Sequence, residues 1–156
     1  SDATADLKAE AGLVVAKDLL DKNDLDGAFT KFKAISGNST NALGAEAKYY
    51  MAYIRHLQAK YRDAEKEVFD LAKKYPAYEH WKARAFILLG DIYVQLDDRF
   101  QAKATLQAVI DNCTEPDLVA QARQRLDTIN ASEVQQTAPT PQEELEVPLP
   151  ENTNGR

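Results

Sequence analysis

Across residues 83–113 the apolar positions fall on two successive helical stripes. Phe86, Leu89, Gly90, Ile92 and Tyr93 form the first, and Ala102, Leu106, Val109 and Ile110 form the second. Only the short joint Leu96-Asp97-Asp98-Arg99 parts them, so the stretch predicts a helical hairpin. The same alternation occurs twice upstream. Leu25, Ala28, Phe32 and Ile35 follow the turn Asn23-Asp24, in which Asp24 is a candidate N-cap; Gly37-Asn38-Ser39-Thr40-Asn41 stops that helix. Ala45, Met51, Ala52, Ile54 and Leu57 then lead through the joint Ala59-Lys60 to Tyr61, Ala64, Val68, Leu71 and Ala72, and Pro76 ends the pair. The pattern predicts an all-α chain of three helical hairpins, at about residues 9–41, 42–77 and 78–113.

Register ties the three together. Ala28, Ala64 and Ala102 each follow a joint and stand four residues ahead of Phe32, Val68 and Leu106. The opposing helices carry Val15-Ala16, Met51-Ala52 and Leu89-Gly90, each a large apolar residue followed by a small one. Small residues at such places let two helix backbones approach, so that each hairpin closes and the next stacks on it. Asp70 and Lys74, four apart, predict an exposed pair on the outer side.

The two ends differ from the middle. Residues 1–8 are small and polar, and predict a flexible stub. Leu13, Val14, Val15, Leu19 and Leu20 wrap more than one face of the first helix, which therefore wants cover on two sides. Upstream chain or a partner would supply the second cover, and self-association through this helix is one form of it. The first residue is Ser, which suggests a piece of a longer chain. After the third pair, Thr114 as cap, Pro116 and Asp117 predict a helix over 115–131. It places Ala120, Leu126 and Ile129 where the third pair has Ala83, Leu89 and Ile92. Its other face, with Gln121, Arg123, Gln124, Arg125 and Thr128, is polar, as a terminal capping helix requires. Residues 132–156, rich in Pro, Glu and Gln, predict a disordered acidic tail; its Val147-Pro148-Leu149-Pro150 has polyproline character without the P-x-x-P spacing.

Charge narrows the function. The net charge of −6 is uneven: residues 131–156 hold five Glu against one Arg, leaving 20 acidic and 18 basic residues elsewhere. A nearly neutral folded part argues against nucleic acid, which needs a concentrated basic face. No apolar run reaches bilayer length, so direct membrane insertion is not expected. Cys113 is the only cysteine, which rules out an internal disulfide.

Leu89-Gly90, Tyr93 three beyond the glycine and Ala102 nine further resemble the tetratricopeptide repeat. The resemblance covers about residues 9–130 and is strongest in the third pair. Departures are visible: Gly12 and Lys48 stand where the third pair has Phe86, and Arg55 replaces an aromatic. The alanines lie 36 and 38 residues apart, against a usual repeat of about 34. The second and third pairs are also similar to the repeat scaffolds of bacterial cell envelopes, which implies a periplasmic or envelope location. The resemblance implies a curved α-α superhelix acting as a non-enzymatic scaffold, with the first helix of each pair lining a concave groove for a partner helix or peptide. Carried over by position, the groove shows Leu13, Lys17 and Leu20, then Tyr49, Tyr53 and His56, then Arg84, Ile87, Asp91 and Val94. Tyr49 and Tyr53, one turn apart, suit a binding hot spot or, equally, packing between pairs. The positions that form a chain-terminal carboxylate clamp in some relatives carry Leu13, Lys17, Tyr53 and Ile87, which speaks against such a clamp. The alternative within the same fold is a structural segment of a longer superhelix with no ligand of its own.

Catalytic chemistry is sparse. His56 and His80 fall on different pairs, so no metal site is expected. Cys113 has no neighbouring His and reads as an inert thiol, and Asp91, Asp97 and Asp98 suit a turn better than an acid–base pair. Trp81 reads as packing at its helix start. No phosphate loop, nucleophile elbow or dinucleotide fingerprint occurs. A small helical enzyme is the remaining rival; it would need His56 and two acids in a deep closed pocket. No cofactor is expected.

Overall fold

A computed structural model describes residues 2–138 of the 156. Among them are seven α-helices and no strand: α1 Ala3–Asp21, α2 Leu25–Asn38, α3 Ala42–Leu57, α4 Tyr61–Lys74, α5 Glu79–Gln95, α6 Arg99–Asn112 and α7 Pro116–Thr137. Each even helix packs against the helix before it and the helix after it. The odd helices also touch one another in sequence, α1 on α3, α3 on α5 and α5 on α7, whereas the even helices are further apart, α4 meeting α2 only where Lys74 donates to the Ser36 carbonyl. Close odd helices and splayed even helices curve the stack, with the odd set on the inner side. The array is a solenoid of three hairpins with α7 at its end.

The register of small residues explains why the hairpins close. Ala16, Ala52 and Gly90, each twelve residues ahead of Ala28, Ala64 and Ala102, are buried, as are all three alanines. Phe32, Val68 and Leu106 are fully enclosed. At Gly90 the approach is tightest: an added Cβ would lie 2.7 Å from Leu106 Cδ2 and 2.8 Å from its Cγ. The departures noted in the sequence also acquire reasons. An added Cβ at Gly12 would come within 3.2 Å of Ile35 Cδ1, so Ile35 fills the space. Lys48 sits within the second pair, 2.5 Å from Glu67 and 3.5 Å from Asp70. Arg55 lies 3.8 Å over the Phe29 ring.

The hairpin turns repeat as well. Asn23, Ala59 and Asp97 all adopt positive φ, at 61°, 56° and 57°, and they recur at the same 36- and 38-residue spacing as the alanines. A left-handed residue ends the first helix of each pair and turns the chain into the second. Asp24 and Asp98 then cap α2 and α6, accepting from the N–H of Gly27 at 3.0 Å and of Gln101 at 3.1 Å. Between the first and second pairs the buried Tyr75 hydroxyl reaches back to the carbonyl oxygens of Ser36, at 3.0 Å, and Ser39, at 2.8 Å. These are acceptors that the end of α2 leaves open.

Four expectations need correction. The helix starts at Ala3, inside the expected stub, because Asp2 caps it by accepting from Thr4 N–H at 3.1 Å. Asn41 then holds Asp6 at 2.8 Å. At the other end α7 continues to Thr137, since Lys103 binds Glu133 at 2.7 Å and Arg99 binds Gln136 at 3.0 Å; residues 139–156 of the expected tail lie outside the described residues. Glu115, not Thr114, is the N-cap position of α7, with Pro116 opening the helix. The Asp70–Lys74 pair does not form: Asp70 faces Lys48, and Lys74 donates to the Ser36 carbonyl.

Two stability predictions follow from this packing. Gly90→Ala gains about 1 kcal/mol of helix propensity but forces the enclosed Leu106 aside, at about 1–3 kcal/mol. Urea denaturation is expected to show a net loss of roughly 1 kcal/mol. Ala59→Gly relieves left-handed strain, and the same measurement is expected to show a gain of roughly 0.5 kcal/mol.

Candidate partner-binding groove

The repeat spacings sort the inner-face residues into columns. Leu13, Tyr49 and Ile87 occupy equivalent places on α1, α3 and α5, and all are buried, at 5%, 9% and 4% exposure. This column is the seam where neighbouring odd helices meet. Leu13 therefore belongs to the first core, with Ala16, Phe32 and Ile35, and does not reach the groove. Lys17, Tyr53 and Asp91 form the next column, and all three are partly exposed. Leu20 and His56 are also partly exposed, and Leu20 packs on the first core; their equivalent Val94 is open to solvent.

Five of the expected residues meet in one place. A recess of about 90 Å³ is lined by Tyr49, Tyr53, Arg84, Ile87, Leu88, Asp91, Gln121 and Arg125. Beside it lies a shallower depression containing Asp91, Val94, Gln95, Gln124, Arg125, Thr128 and Ile129. Lys17 stands apart, where its ammonium pairs with Glu46 and lies 5.5 Å from the Tyr50 ring. His56 lines neither recess.

Aromatic rings build the wall between α3 and α5. Tyr49 and Tyr53 are stacked at 6.4 Å between centroids, and Tyr49 stands 5.6 Å from Trp81. The Arg84 guanidinium lies 4.6 Å from the Tyr49 centroid and 5.0 Å from that of Trp81, a cation–π arrangement on two rings. Burial pushes the Tyr49 hydroxyl pKa up, against the opposing pull of Arg84. Across α5 and α7, Arg125 Nε donates to both oxygens of Asp91, at 3.0 and 2.9 Å.

Trp81, Arg125, Gln121 and Glu46 were not among the expected groove residues. Glu46 shares its column with Arg84, 38 residues on, so the register points to it. Arg125 and Gln121 belong to α7, where the groove had not been extended. The outward face of α7 explains its capping character: Arg123 and Asp127 stand where α5 has Phe86 and Gly90, which face α6. Ala120, equivalent to Ala83, is correspondingly exposed.

The repeated geometry agrees with a family comparison: residues 3–131 match the model of a tetratricopeptide repeat-like domain. The chain belongs to the tetratricopeptide repeat-like family. It matches no curated protein. Domains of this kind are in general non-enzymatic scaffolds for protein–protein interaction. No described helix is long and apolar enough to cross a membrane, and no group of three or more His, Cys, Asp or Glu among the described residues is placed to hold a metal ion.

His56 gives the repeat domain a pH dependence. Its Nδ1 is buried without a hydrogen-bond partner, and its ring lies 5.7 Å from that of Tyr61. Burial lowers its pKa below the ordinary 6.5, only partly offset by Asp91. Between the two values the unfolded chain binds a proton that the folded chain refuses, so stability falls as pH drops through 6.5 and stops falling below the folded pKa. Thermal melts between about pH 7.5 and 5.5 are expected to show this decline, and His56→Gln to make it shallower.

Proposed function

We propose that the chain is a scaffold that binds a helix or an extended segment of a partner protein along the inner face of α3, α5 and α7. The observation that carries this reading is the juxtaposition of Tyr53, Arg84 and the Tyr49–Trp81 wall beside an open recess. Tyrosine, tryptophan and arginine are the side chains that dominate binding energy at interfaces, because they offer rigid area with polar tips. The geometry supports a binding groove rather than a reaction site, because the recess holds one acid, already paired to Arg125, and no histidine. The likeness of the second and third pairs to envelope scaffolds supports work in a bacterial cell envelope.

A second reading has an observation of its own. Leu7, Val14 and Val15 on α1 are 67%, 69% and 47% exposed. Such a stripe suits another helix laid on the first pair, whether from a longer superhelix or from a second copy.

Partner capture separates the two. Tyr53→Ala or Arg84→Ala is expected to weaken capture of a partner by about tenfold or more, while Phe100→Ala on α6 leaves it unchanged. Undiminished capture by both groove variants would favour the structural reading.

A further inference from the structure

We infer that Arg84 anchors a single internal Asp or Glu side chain of the partner segment, flanked by apolar residues; this rests on the groove proposed above. Along the inner face, Lys17 is neutralised by Glu46 and Asp91 by Arg125. Arg84 lies between these pairs on α5, and no carboxylate among the described residues stands within ion-pairing distance of it. The Tyr49 and Trp81 rings beneath it hold the guanidinium at 4.6 and 5.0 Å from their centroids, and none of its donors is taken by a carboxylate among the described residues. A carboxylate meets those donors in the two-pronged geometry that arginine favours. Tyr53, Ile87 and Leu88 supply the apolar side of the adjoining recess, opposite Asp91, Gln121 and Arg125, and an apolar side chain next to the acid packs on that side.

Charge limits the ligand to one acid at this point. The chain carries −6 overall, and fields from exposed charges fade over about 8 Å at physiological salt. An acidic partner is therefore not drawn in from afar, and its carboxylate is recognised by contact. Two turns along α5, Asp91 already takes up Arg125, which offers no second acid a partner. A chain-terminal carboxylate fits less well, because Lys17 is already occupied by Glu46 and Tyr53 and Ile87 contribute no charge.

The test is selection of a random dodecapeptide phage library on the full chain. Selected peptides are then synthesised and titrated against Trp81 fluorescence. Trp81 is the sole tryptophan and lies 5.0 Å from Arg84, so it reports directly on the site. The expected result is one dominant Asp or Glu with apolar neighbours. Its amide version, and Arg84→Gln, are expected to bind at least about tenfold more weakly. Arg84→Lys should retain an intermediate affinity, and selection on Arg84→Glu should replace the acid by Lys or Arg. Circular dichroism melts confirm that the variants fold.

Acid-free peptides that compete for the groove, or equal affinity of acid and amide versions, would overturn the inference while leaving the groove intact. Peptides insensitive to Tyr53→Ala as well as to Arg84 substitution, or no selected peptide at all, would overturn the groove reading and the inference with it. A tighter peptide affinity on deleting residues 139–156 would identify this chain's own acidic stretch 143–147 as the occupant, and overturn the assignment to a separate partner.

Discussion

The close approach of the two helices in each hairpin is the constraint on which the remaining structure depends. At Gly90 there is no room for a methyl group against Leu106, and Ala16 and Ala52 hold the same register in the earlier pairs. Paired rods at this separation bury Phe32, Val68 and Leu106 completely. Once the hairpins are narrow, the odd helices meet along the seam of Leu13, Tyr49 and Ile87, and the even helices diverge. The inner face is then fixed as whatever lies one column beyond that seam. A binding surface thus follows from packing, with no residue set aside to shape it.

The groove is braced from several helices for a related reason. Its aromatic wall consists of side chains partly buried by the seam, and the Arg125–Asp91 pair ties α5 to α7 across it, as Lys17–Glu46 ties α1 to α3 further along the inner face. Tyr49 illustrates the double use: nearly buried between repeats, it still offers a ring face to Arg84. Rings and guanidinium placed in advance reduce the conformational entropy lost on binding. Exposed ion pairs add little stability individually, but here they cancel local charge and leave Arg84 as a cation between them with no carboxylate partner among the described residues.

Much of the architecture was legible because a small residue twelve positions ahead of an alanine, itself four ahead of a large apolar one, is a strong signal when it recurs. The helix ends were less so. The left-handed turn at Ala59 carries no chemical mark, since alanine does not favour that conformation, whereas Asn23 and Asp97 do. The start of α1 was missed because a polar run was read as loose, although Asp2 supplies a cap. Within the site, Leu13 was misplaced because seam and groove lie on adjacent strips of one helix face, which periodicity alone does not resolve. Trp81 and Arg125 depend on contacts between repeats, and single-helix patterns are silent about those.

The most direct measurement is a set of nuclear Overhauser contacts in the full chain, with leucine methyl groups and aromatic side chains labelled. Cross-peaks are expected from the Leu106 methyls to the Gly90 α-protons, and from the Arg84 side chain to the rings of both Tyr49 and Trp81. Leucine methyls remote from Gly90, with Arg84 isolated from the two rings, would contradict both the narrow hairpin and the groove built on it.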